Sequence, residues 1–472
     1  MEPTNNRFGG GASATLLHPL VAVGVLVAIV LILTLPRKKA IVPFLFAALM
    51  IPWGQVAVIG GVHFTMMRIL ILAGLARAAW FKASSSESWF ATEFSGIDQA
   101  TVLWTVSAFI VITLQWMNAQ MLIASLGDFV DALGGYLVLR FLMPDGEAIR
   151  LTVKVLAAIC VIHGVCMINE QITGLNVFNL VGGVPIEGSI MRAGQLRSTG
   201  VMGPLGEGTV AGVLLPVFLW LWTEGKSRMA AAAGLAGATT ILITAHASTP
   251  WMAVGGAVLG LGFWPLRKQM RIVRWGFVLT LVALHLYMKS PVWHLISDVD
   301  LTGDSSSYHR YFLVDATIRH FSDWWLLGYK NYDQWGWDMW DTSNLFVATA
   351  LTGGLASLVC LIAAFSRSFG AIGTARKRVN GDRRQEWFLW CLGSALFAVV
   401  VSSFGIAFLY QARIAVFALL GCICVATFEA KPAEVGIEEP QNQGSSPLAF
   451  ATAETFPSLG TDPASGRRNR IA

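Results

Sequence analysis

Charged and polar side chains inside long apolar stretches are the first candidates for chemistry in this sequence. A charge in the interior of a bilayer costs about 3 kcal/mol or more, so such residues are usually paired or functional. Asp128 and Asp131 are three positions apart and share a helix face, so they could pair with Arg68 or Arg413 across a bundle. The alternative is that each is a structural ion pair or an interfacial group. The full set comprises Arg68, Asp128, Asp131, Glu207, His246, His285 and Arg413.

A second candidate is the glycine-rich segment 191–208, which carries two arginines. Arg192 and Arg197 precede a predicted helix near residue 205, and Glu207 lies in its first turn. Main-chain N–H groups at a helix N-terminus favour an anion, and arginine binds phosphate through two parallel hydrogen bonds. The pattern predicts a diphosphate site at the membrane surface. The alternative is a loop whose arginines contact lipid headgroups.

The segment 290–343 is rich in tryptophan and tyrosine, which are typical of membrane interfaces and also suit stacking on sugar rings. Its acidic residues are all aspartate, and we interpret Asp298-Val-Asp300 as loop residues rather than as a metal site. The segment ends with Asp341-Thr-Ser-Asn344 before an apolar run. Asp, Ser and Asn are good N-cap residues, so this stretch predicts the beginning of a helix.

Several function classes have no support. The sequence contains no phosphate-binding glycine loop, no dinucleotide-binding fingerprint, no H-E-x-x-H zinc motif and no recognisable nucleic-acid module. The six cysteines fall in apolar stretches and form no CxxC pair, so neither a disulfide framework nor a cysteine metal site is predicted. We therefore expect no metal, no cofactor and no nucleic-acid partner.

The elements that position these residues follow from composition. The chain is 55% hydrophobic and 13% charged, whereas a soluble domain carries about 25% charged residues. Its apolar runs are long enough to cross roughly 30 Å of hydrocarbon as helices. The chain lacks the strand-length segments of alternating polar and apolar residues that are typical of a β-barrel. The sequence predicts an all-α, polytopic transmembrane bundle of about 12–13 helices.

The predicted domain covers residues 1–428 and includes two long loops, 170–204 and 290–343. The first apolar run lacks a basic region and a cleavage site, so we expect a retained helix. Residues 429–472 are rich in Pro, Ser, Gly and Glu and predict a disordered tail. The predicted spans are 16–35, 40–61, 63–82, 99–116, 119–142, 151–169, 205–223, 229–247, 250–266, 273–289, 344–365, 386–408 and 411–428.

Lysine and arginine set the orientation. They are concentrated in alternate short connections, such as 37–39, 267–274 and 376–384, and are sparse in the other set. Basic connections remain in the cytoplasm. The pattern predicts a multi-pass protein of the bacterial inner membrane with its N-terminus outside, its tail in the cytoplasm, and both long loops facing the periplasm.

This layout resembles the O-antigen ligase and polymerase superfamily of bacterial membrane glycosyltransferases. The resemblance covers roughly residues 150–430 and rests on short motifs. These are Glu170-x-x-x-Gly174 with Arg197-Ser-Thr-Gly200, Tyr308-His-Arg310 with Asp315-Ala-Thr-Ile and Trp324-Trp-Leu-Leu-Gly328-Tyr329, and Ser343-Asn-Leu-Phe346 with Gly353-Gly354.

The resemblance implies transfer of a glycan from a polyprenyl-diphosphate carrier to an acceptor hydroxyl, without metal or nucleotide, during exopolysaccharide or O-antigen assembly. It assigns Arg310, Asn344 and Asp341 to catalysis, with Asp341 as the proton acceptor. If Asp341 only caps the helix, Glu207 and His309 are the alternative proton acceptors. Ser343 stands where ligases of the family carry histidine, and the proline of the turn that ends the family's helix is missing. These departures favour a divergent polymerase over a lipid A ligase, or an inactive relative.

The other site residues that this reading implies bind the diphosphate and glycan: Arg192, Arg197, Arg413, Arg68 and Glu207. The partners are the lipid-linked glycan, membrane lipid and other polysaccharide-assembly proteins. Two alternatives remain open. One is a transporter or exporter of an anionic or lipid-linked solute, which broken helices would favour, and Pro52-Trp53-Gly54 is the one candidate break. The other is a structural subunit of an envelope-assembly complex.

Overall fold

A computed structural model describes residues 15–183, 190–192, 194–298, 306–336, 338–379 and 381–430. These residues belong to one compact unit built almost entirely of helices. The predicted all-α, polytopic bundle is confirmed. The proposed tail from residue 431 onward lies outside the described residues, as do Asp300 and Trp337 of the long loop.

The first half of the bundle contains eight helices and two hairpins. Between α5 and α6 the helix continues through one π-helical turn at Val130–Gly134, and Val177–Leu180 forms a 3-10 turn. The elements are α1 Pro19–Thr34, α2 Ile41–Met50, β1 Val56–Ile59, β2 Val62–Thr65, α3 Met66–Ser84, α4 Gly96–Trp116, α5 Ala119–Phe129, α6 Gly135–Leu142, α7 Gly146–Thr173, β3 Ile190–Arg192, β4 Gln195–Arg197 and α8 Gly203–Glu224.

The second half contains the remaining helices and three 3-10 turns, Trp264–Leu266, Val292–His294 and Tyr332–Trp335. Both hairpins of the first half are antiparallel, with Val56 opposite Thr65 and Arg192 opposite Gln195. The helices are α9 Arg228–Ala245, α10 Ser248–Gly262, α11 Met270–Tyr287, α12 Leu295–Asp298, α13 Ser306–Arg319, α14 Phe321–Trp324, α15 Leu345–Arg378, α16 Arg383–Ser402 and α17 Tyr410–Glu429.

Length and composition allow nine helices of the described chain to cross a membrane. α1 and α2 are apolar but shorter. The chain is therefore a multi-pass membrane protein. The nine are Gly96–Trp116, Ala119–Leu142, Gly146–Thr173, Gly203–Glu224, Arg228–Ala245, Met270–Tyr287, Leu345–Arg378, Arg383–Ser402 and Tyr410–Glu429.

The predicted span 40–61 is wrong in its second half. α2 ends at Met50, and the chain then forms the β1–β2 hairpin. Pro52 has no N–H for a helix, and Gln55 bonds outside the helix instead: its amide donates to the carbonyl oxygens of Val181 and Gly182 at 2.6 and 2.8 Å. The apolar residues after Gly54 supply strands rather than a second helical half.

Other predicted ends also shift. The span 386–408 ends at Ser402, and the span 344–365 continues to Arg378 because the helix extends beyond its apolar part. The segment 290–343, predicted as a loop, contains α13, which carries Arg310. That helix has almost equal polar and apolar character on all sides, so composition alone did not predict it.

The connections between helices fall into two groups, which lie at opposite ends of the bundle. Among the described residues, the loop end comprises 51–65, 117–118, 174–183, 190–192, 194–202, 246–247, 288–298, 306–336, 338–344 and 403–409, and the basic end comprises 35–40, 85–95, 143–145, 225–227, 263–269, 379 and 381–382. Contacts join connections within a group: the N–H of Gly54 donates to Gly183 at 2.7 Å at the loop end, and Arg37 donates to the carbonyl oxygen of Phe141 at 2.6 Å at the basic end.

Small residues allow the central helices to pack closely. A side chain at Gly237 of α9 would lie 2.7 Å from the main chain of Cys160 in α7, so a larger residue would push these helices apart. α17 is the most buried of the spanning helices, whereas α11 has no buried residue. The closely packed centre holds the loop-end segments in fixed positions.

Candidate functional site

The turn between α9 and α10 is where two loop-end segments meet. α9 ends at Ala245 and α10 begins at Ser248, so only His246 and Ala247 connect them. His246 has φ +41°, a left-handed conformation that residues other than glycine rarely adopt. Such strain is retained where the surrounding structure enforces it, often at functional sites.

Arg310 of α13 reaches this turn from one side. Its Nη2 donates to Ser248 Oγ at 2.6 Å and to Thr249 Oγ1 at 3.1 Å, and the side chain is buried. The Thr249 hydroxyl in turn donates to the carbonyl oxygen of Gly405 at 3.1 Å. A side chain at Gly405 would lie 3.1 Å from Arg310 Nε. The long loop, α10 and the α16–α17 connection therefore meet at this guanidinium.

The segment that carries Arg197 reaches the same turn from the other side. The N–H of Ser198 donates to the carbonyl oxygen of Thr244 at 3.1 Å, and its hydroxyl donates to that of Met167 at 2.9 Å. Arg197 itself is 7% exposed. Arg192 lies on β3, paired with Gln195 in the hairpin that leads to Arg197. The Arg310 guanidinium and the chain segment directly after Arg197 thus both contact residues beside the two-residue α9–α10 turn.

Glu170, at the end of α7, holds the Arg197 segment. One carboxylate oxygen accepts the N–H and hydroxyl of Thr199 at 2.8 and 2.7 Å, and the other accepts the N–H of Gly200 at 3.1 Å. Asn176 adds hydrogen bonds to Thr199 Oγ1 and to the carbonyl oxygen of Gly200 at 2.8 and 2.7 Å. Gly200 has φ +54°, which glycine adopts without strain.

Glu207 holds the next residues of the same segment. Its Oε1 accepts the N–H groups of Val201 and Met202 at 2.8 and 3.1 Å, and its Oε2 lies 2.8 Å from His163 Nδ1. Glu207 and His163 are each 1% exposed. Glu207 was predicted to bind substrate, but with both oxygens bonded inside the protein its geometry is that of a brace for the loop.

The beginning of α15 separates the roles of Asp341 and Asn344. Asn344 Oδ1 accepts the N–H groups of Phe346 and Val347 at 3.0 and 3.1 Å, so Asn344 is the N-cap. The Asp341 carboxylate instead accepts a hydrogen bond from the Ser343 hydroxyl. The carbonyl oxygen of Asp341 lies 3.1 Å from Nε2 of His309, which precedes Arg310 on α13.

α15 is broken one-third of the way along, and the long loop fills the break. Gly354 has φ +65°, which interrupts the helical hydrogen bonds. The N–H of Tyr329 donates to the carbonyl oxygen of Leu351, and the N–H of Leu355 donates to that of Trp325, both at 2.8 Å. We call residues 325–329 the strap. Main-chain groups freed inside a membrane must find partners, and the strap supplies them.

Arg68 and Arg413 lie in a second group at the start of α3 and α17. Arg68 donates to both carboxylate oxygens of Asp131 at 3.1 and 2.7 Å, and Arg413 donates to Asp128 at 2.8 Å. The π-helical turn that contains Asp131 lets neighbouring acids reach different helices. The predicted pairing of these acids with Arg68 and Arg413 is present. Asp131 and Arg413 line an open cleft together with Ala47, Ala48, Ile51, Pro52, Trp53, Thr65, Met66, Met67, Tyr410, Gln411 and Ile414.

The structure therefore divides the predicted site residues. Arg197, Arg310, Asp341 and Asn344 lie on loop-end segments joined by direct contacts, whereas Arg68 and Arg413 form carboxylate pairs beside the cleft. Sequence reasoning missed His163. A lone histidine within the apolar α7 could have drawn notice, but its partner Glu207 is 44 positions away, and this distance conceals the pair.

Within the described residues, no group of three or more His, Cys, Asp or Glu side chains has a geometry that would hold a metal ion. Comparison with protein-family models finds no match. Comparison with curated proteins finds no match either. We therefore infer the function from the fold and from the geometry of the loop end.

Proposed function

We propose that this protein is a metal-independent glycosyltransferase of the bacterial inner membrane, a polysaccharide polymerase or ligase. It takes a glycan from a polyprenyl-diphosphate carrier and transfers it to an acceptor hydroxyl at the periplasmic face. The observation that carries the proposal is the meeting, at the α9–α10 turn, of the Arg310 guanidinium and the separate loop-end segment that carries Arg197.

The chemistry of the transfer requires cations at this position. As the acceptor oxygen bonds to the anomeric carbon, the bond to the carrier breaks and the diphosphate leaves with the electron pair. Fixed donors aimed at developing charge lower the barrier most when they need no reorganisation. Arg197 and Arg310 are 7% and 6% exposed, so their charges act in surroundings with little water, where electrostatic interactions are strong.

Hydrogen bonds also hold the chain segment next to Arg197 and the guanidinium of Arg310 in place. Glu170 and Glu207 hold residues 199–202, directly after Arg197, and Ser248 with Thr249 holds the Arg310 guanidinium. A pre-organised site of this kind is the expected design for a transferase that uses only its own side chains. Arg192 precedes Arg197 on the same hairpin.

The second group contributes less to this proposal. Arg68 and Arg413 each carry a carboxylate partner, so the cluster is neutral as a whole. The Asp128 side chain is 68% exposed, however, and the nearby rings of Trp53 and Tyr410 lie 4.3 Å apart. We assign this cleft to the entry of the carrier lipid from the side of the bundle. Arg68 and Arg413 remain paired with Asp131 and Asp128 until a phosphate group of the carrier competes for them.

The broken helix favours this proposal over an exporter. Transporters use the main-chain groups freed at a helix break to bind substrate or ions. In α15 the carbonyl oxygen of Leu351 and the N–H of Leu355 are both bonded to the strap. The break therefore anchors the long loop, which favours a fixed site at one face over access from both.

Orientation is part of the proposal, because the transfer requires the loop end to lie outside. Reporter fusions after Ser305 should have periplasmic activity, and fusions near Asn380 should have cytoplasmic activity, since basic connections stay inside. A cytoplasmic signal at Ser305 would contradict the orientation and the assignment of the site.

The cellular experiment is deletion of the gene, followed by mass spectrometry of the polyprenyl-linked glycans. The deletion strain should accumulate short lipid-linked units on the periplasmic face, and wild-type protein should convert them to longer or transferred chains. Arg310→Lys should fail, because an ammonium group cannot replace the planar fork of a guanidinium. Accumulation on the cytoplasmic face would instead identify an exporter, and an unchanged lipid-linked pool would refute both.

A further inference from the structure

His309 is a titratable side chain at the proposed site, and the sequence offered it only as an alternative proton acceptor to Asp341. It precedes Arg310 on α13, and its Nε2 lies 3.1 Å from the carbonyl oxygen of Asp341. A carbonyl oxygen can only accept, so Nε2 must carry the hydrogen. In the neutral imidazole the other nitrogen, Nδ1, then has a free lone pair.

Among the described residues, that Nδ1 has no hydrogen-bond partner although the atom is buried. A buried polar atom left unbonded costs about 1–3 kcal/mol, and each such atom in a native structure calls for an explanation. A ligand hydroxyl that donates to Nδ1 would recover this cost. A histidine whose ring is oriented by a main-chain carbonyl on one nitrogen and whose other nitrogen is unbonded has the arrangement of a general base.

Asn344 offers a complementary donor a few residues away along the chain from Asp341. Its Oδ1 is used by the helix cap, which fixes the orientation of the amide. Its Nδ2 is buried and, within the described part of the chain, has no acceptor. One unbonded acceptor and one unbonded donor on neighbouring segments suit carbohydrate hydroxyls, because a hydroxyl both donates and accepts.

The Asp341 carboxylate, which the resemblance assigns as the proton acceptor, is engaged differently. It accepts a hydrogen bond from Ser343, while the main chain of Asp341 orients the His309 ring. We infer that His309 takes the proton from the acceptor hydroxyl in the glycan transfer, and that the Asp341 segment positions it; this inference rests on the proposed function.

Atoms and electrons balance in this step. The acceptor oxygen forms a bond to the anomeric carbon and its proton passes to His309 Nδ1, while the bond between the anomeric carbon and the carrier oxygen breaks. The diphosphate leaves with the electron pair beside Arg197 and Arg310. The imidazolium then returns its proton to water, and the ring regains its Nε2–H form against the Asp341 carbonyl.

The test uses full-length protein in liposomes, with lipid-linked glycan extracted from the deletion strain as the probe. The variants are His309→Gln and Asp341→Asn. In His309→Gln the new side-chain amide can still donate to the Asp341 carbonyl, but an amide accepts no proton. Donor retention is measured from the lipid that co-purifies with each variant, and transfer rates are measured from about pH 5 to pH 9, the range in which histidine charge changes.

Wild-type transfer should fall about tenfold per pH unit on the acid side of the profile, as a base becomes protonated. Among the described residues, the other charged and titratable groups on α13 and on the segments that contact it include Tyr308, Arg310, Tyr311, Asp315, Arg319, His294, Asp338 and Asp341. H309Q should retain donor lipid, lower the rate by about 10²–10⁴ and lose the acid limb. D341N should keep the acid limb and lose less than tenfold.

Opposite outcomes overturn the inference. An H309Q rate near that of wild type, with the acid limb intact, would exclude His309, and loss of the limb in D341N would assign the proton to Asp341. If H309Q does not insert, the wild-type and D341N profiles decide, because absence of the limb in either refutes the inference. No transfer by wild-type protein would refute the proposed function as well.

Discussion

The two ends of the bundle differ in the groups that their carboxylates bind. At the basic end, cations meet carboxylates: Glu386 accepts from Arg267 at 3.1 Å and from Arg376 at 2.8 Å, and Glu224 pairs with Arg150. At the loop end, the buried carboxylates of Glu170 and Glu207 accept main-chain N–H groups. Ion pairs occur at both ends, but the buried carboxylates of Glu170 and Glu207 at the loop end shape the chain segment that carries Arg197.

The basic end also contains the most buried ion pair. Arg140 donates to both oxygens of Asp98, which also accepts from Tyr136 at 2.5 Å, and Arg140 and Asp98 are at most 1% exposed. All the groups have partners, so this cluster holds α4, α6 and α17 together and offers nothing to a ligand. Removing one member of such a pair is strongly destabilising.

Outside the membrane spans, Asp145 shows the same use of charge. Burial alone would raise the pKa of the Asp145 carboxyl, but hydrogen bonds from Lys38 and from the N–H of Ala148 hold that pKa below its usual value. The charged groups of the basic end therefore stabilise the fold. The loop end is a positioning element, and the following variants test that difference.

The largest expected effect is on the strap. Gly328 has φ +63°, and a side chain there would lie 2.1 Å from the carbonyl oxygen of Leu351. Gly328→Ala should lower the free energy of unfolding by about 3 kcal/mol, from left-handed strain and overpacking. Gly373→Ala is the matched control on α15, because a side chain there meets no atom within 4 Å. Thermal unfolding in detergent gives the comparison, and equal stability of both variants would contradict the role of the strap.

Arginines at the two ends should differ in function. Arg310→Ala should lower glycan transfer about 10- to 150-fold, since a lost charge-assisted hydrogen bond costs about 1.5–3 kcal/mol. Arg376→Ala at the basic end should reduce thermal stability and leave the transfer rate of the folded fraction nearly unchanged. The transfer assay in liposomes, corrected for folded protein, measures both. Equal losses of transfer would remove the distinction between the ends.

Substitutions of one carboxylate at each end should differ less in their effects on stability and on transfer. Glu170→Gln replaces an acceptor by an amide beside three buried donors, which should cost about 1–3 kcal/mol. Glu224→Gln weakens a partly exposed ion pair, which should cost less than about 1 kcal/mol. E170Q should also lower glycan transfer, because the chain segment that positions Arg197 is no longer held by Glu170. Denaturant titration and the transfer assay should agree on this order, and a reversed order would contradict the account.

Hydropathy predicted the bundle well because a spanning helix is a local, length-limited feature. It failed at 40–61, where Pro52 and the distant carbonyl oxygens that Gln55 binds end the helix early. It also could not predict α13, whose polar composition gives no periodic signal.

The candidate site was predictable only in part. Arginines in a glycine-rich stretch identified the segment around Arg197, because residue type suggests phosphate binding, whereas the segment around Arg310 was identified by the resemblance of Tyr308-His-Arg310. The partners of those segments, such as His163 for Glu207 and Ser248 for Arg310, are set by helix packing across long sequence separations. The cap at Asn344 could not be distinguished from Asp341 without the main-chain geometry.

The most direct measurement of the central claim is glycan transfer by purified protein in liposomes, using lipid-linked glycan from the deletion strain and no added metal or nucleotide. We expect longer or transferred chains and released polyprenyl diphosphate with wild-type protein, and at least about tenfold less of both with Arg310→Lys, in which the bidentate guanidinium is lost. Movement of the intact lipid-linked glycan across the bilayer without any new glycosidic bond would contradict it.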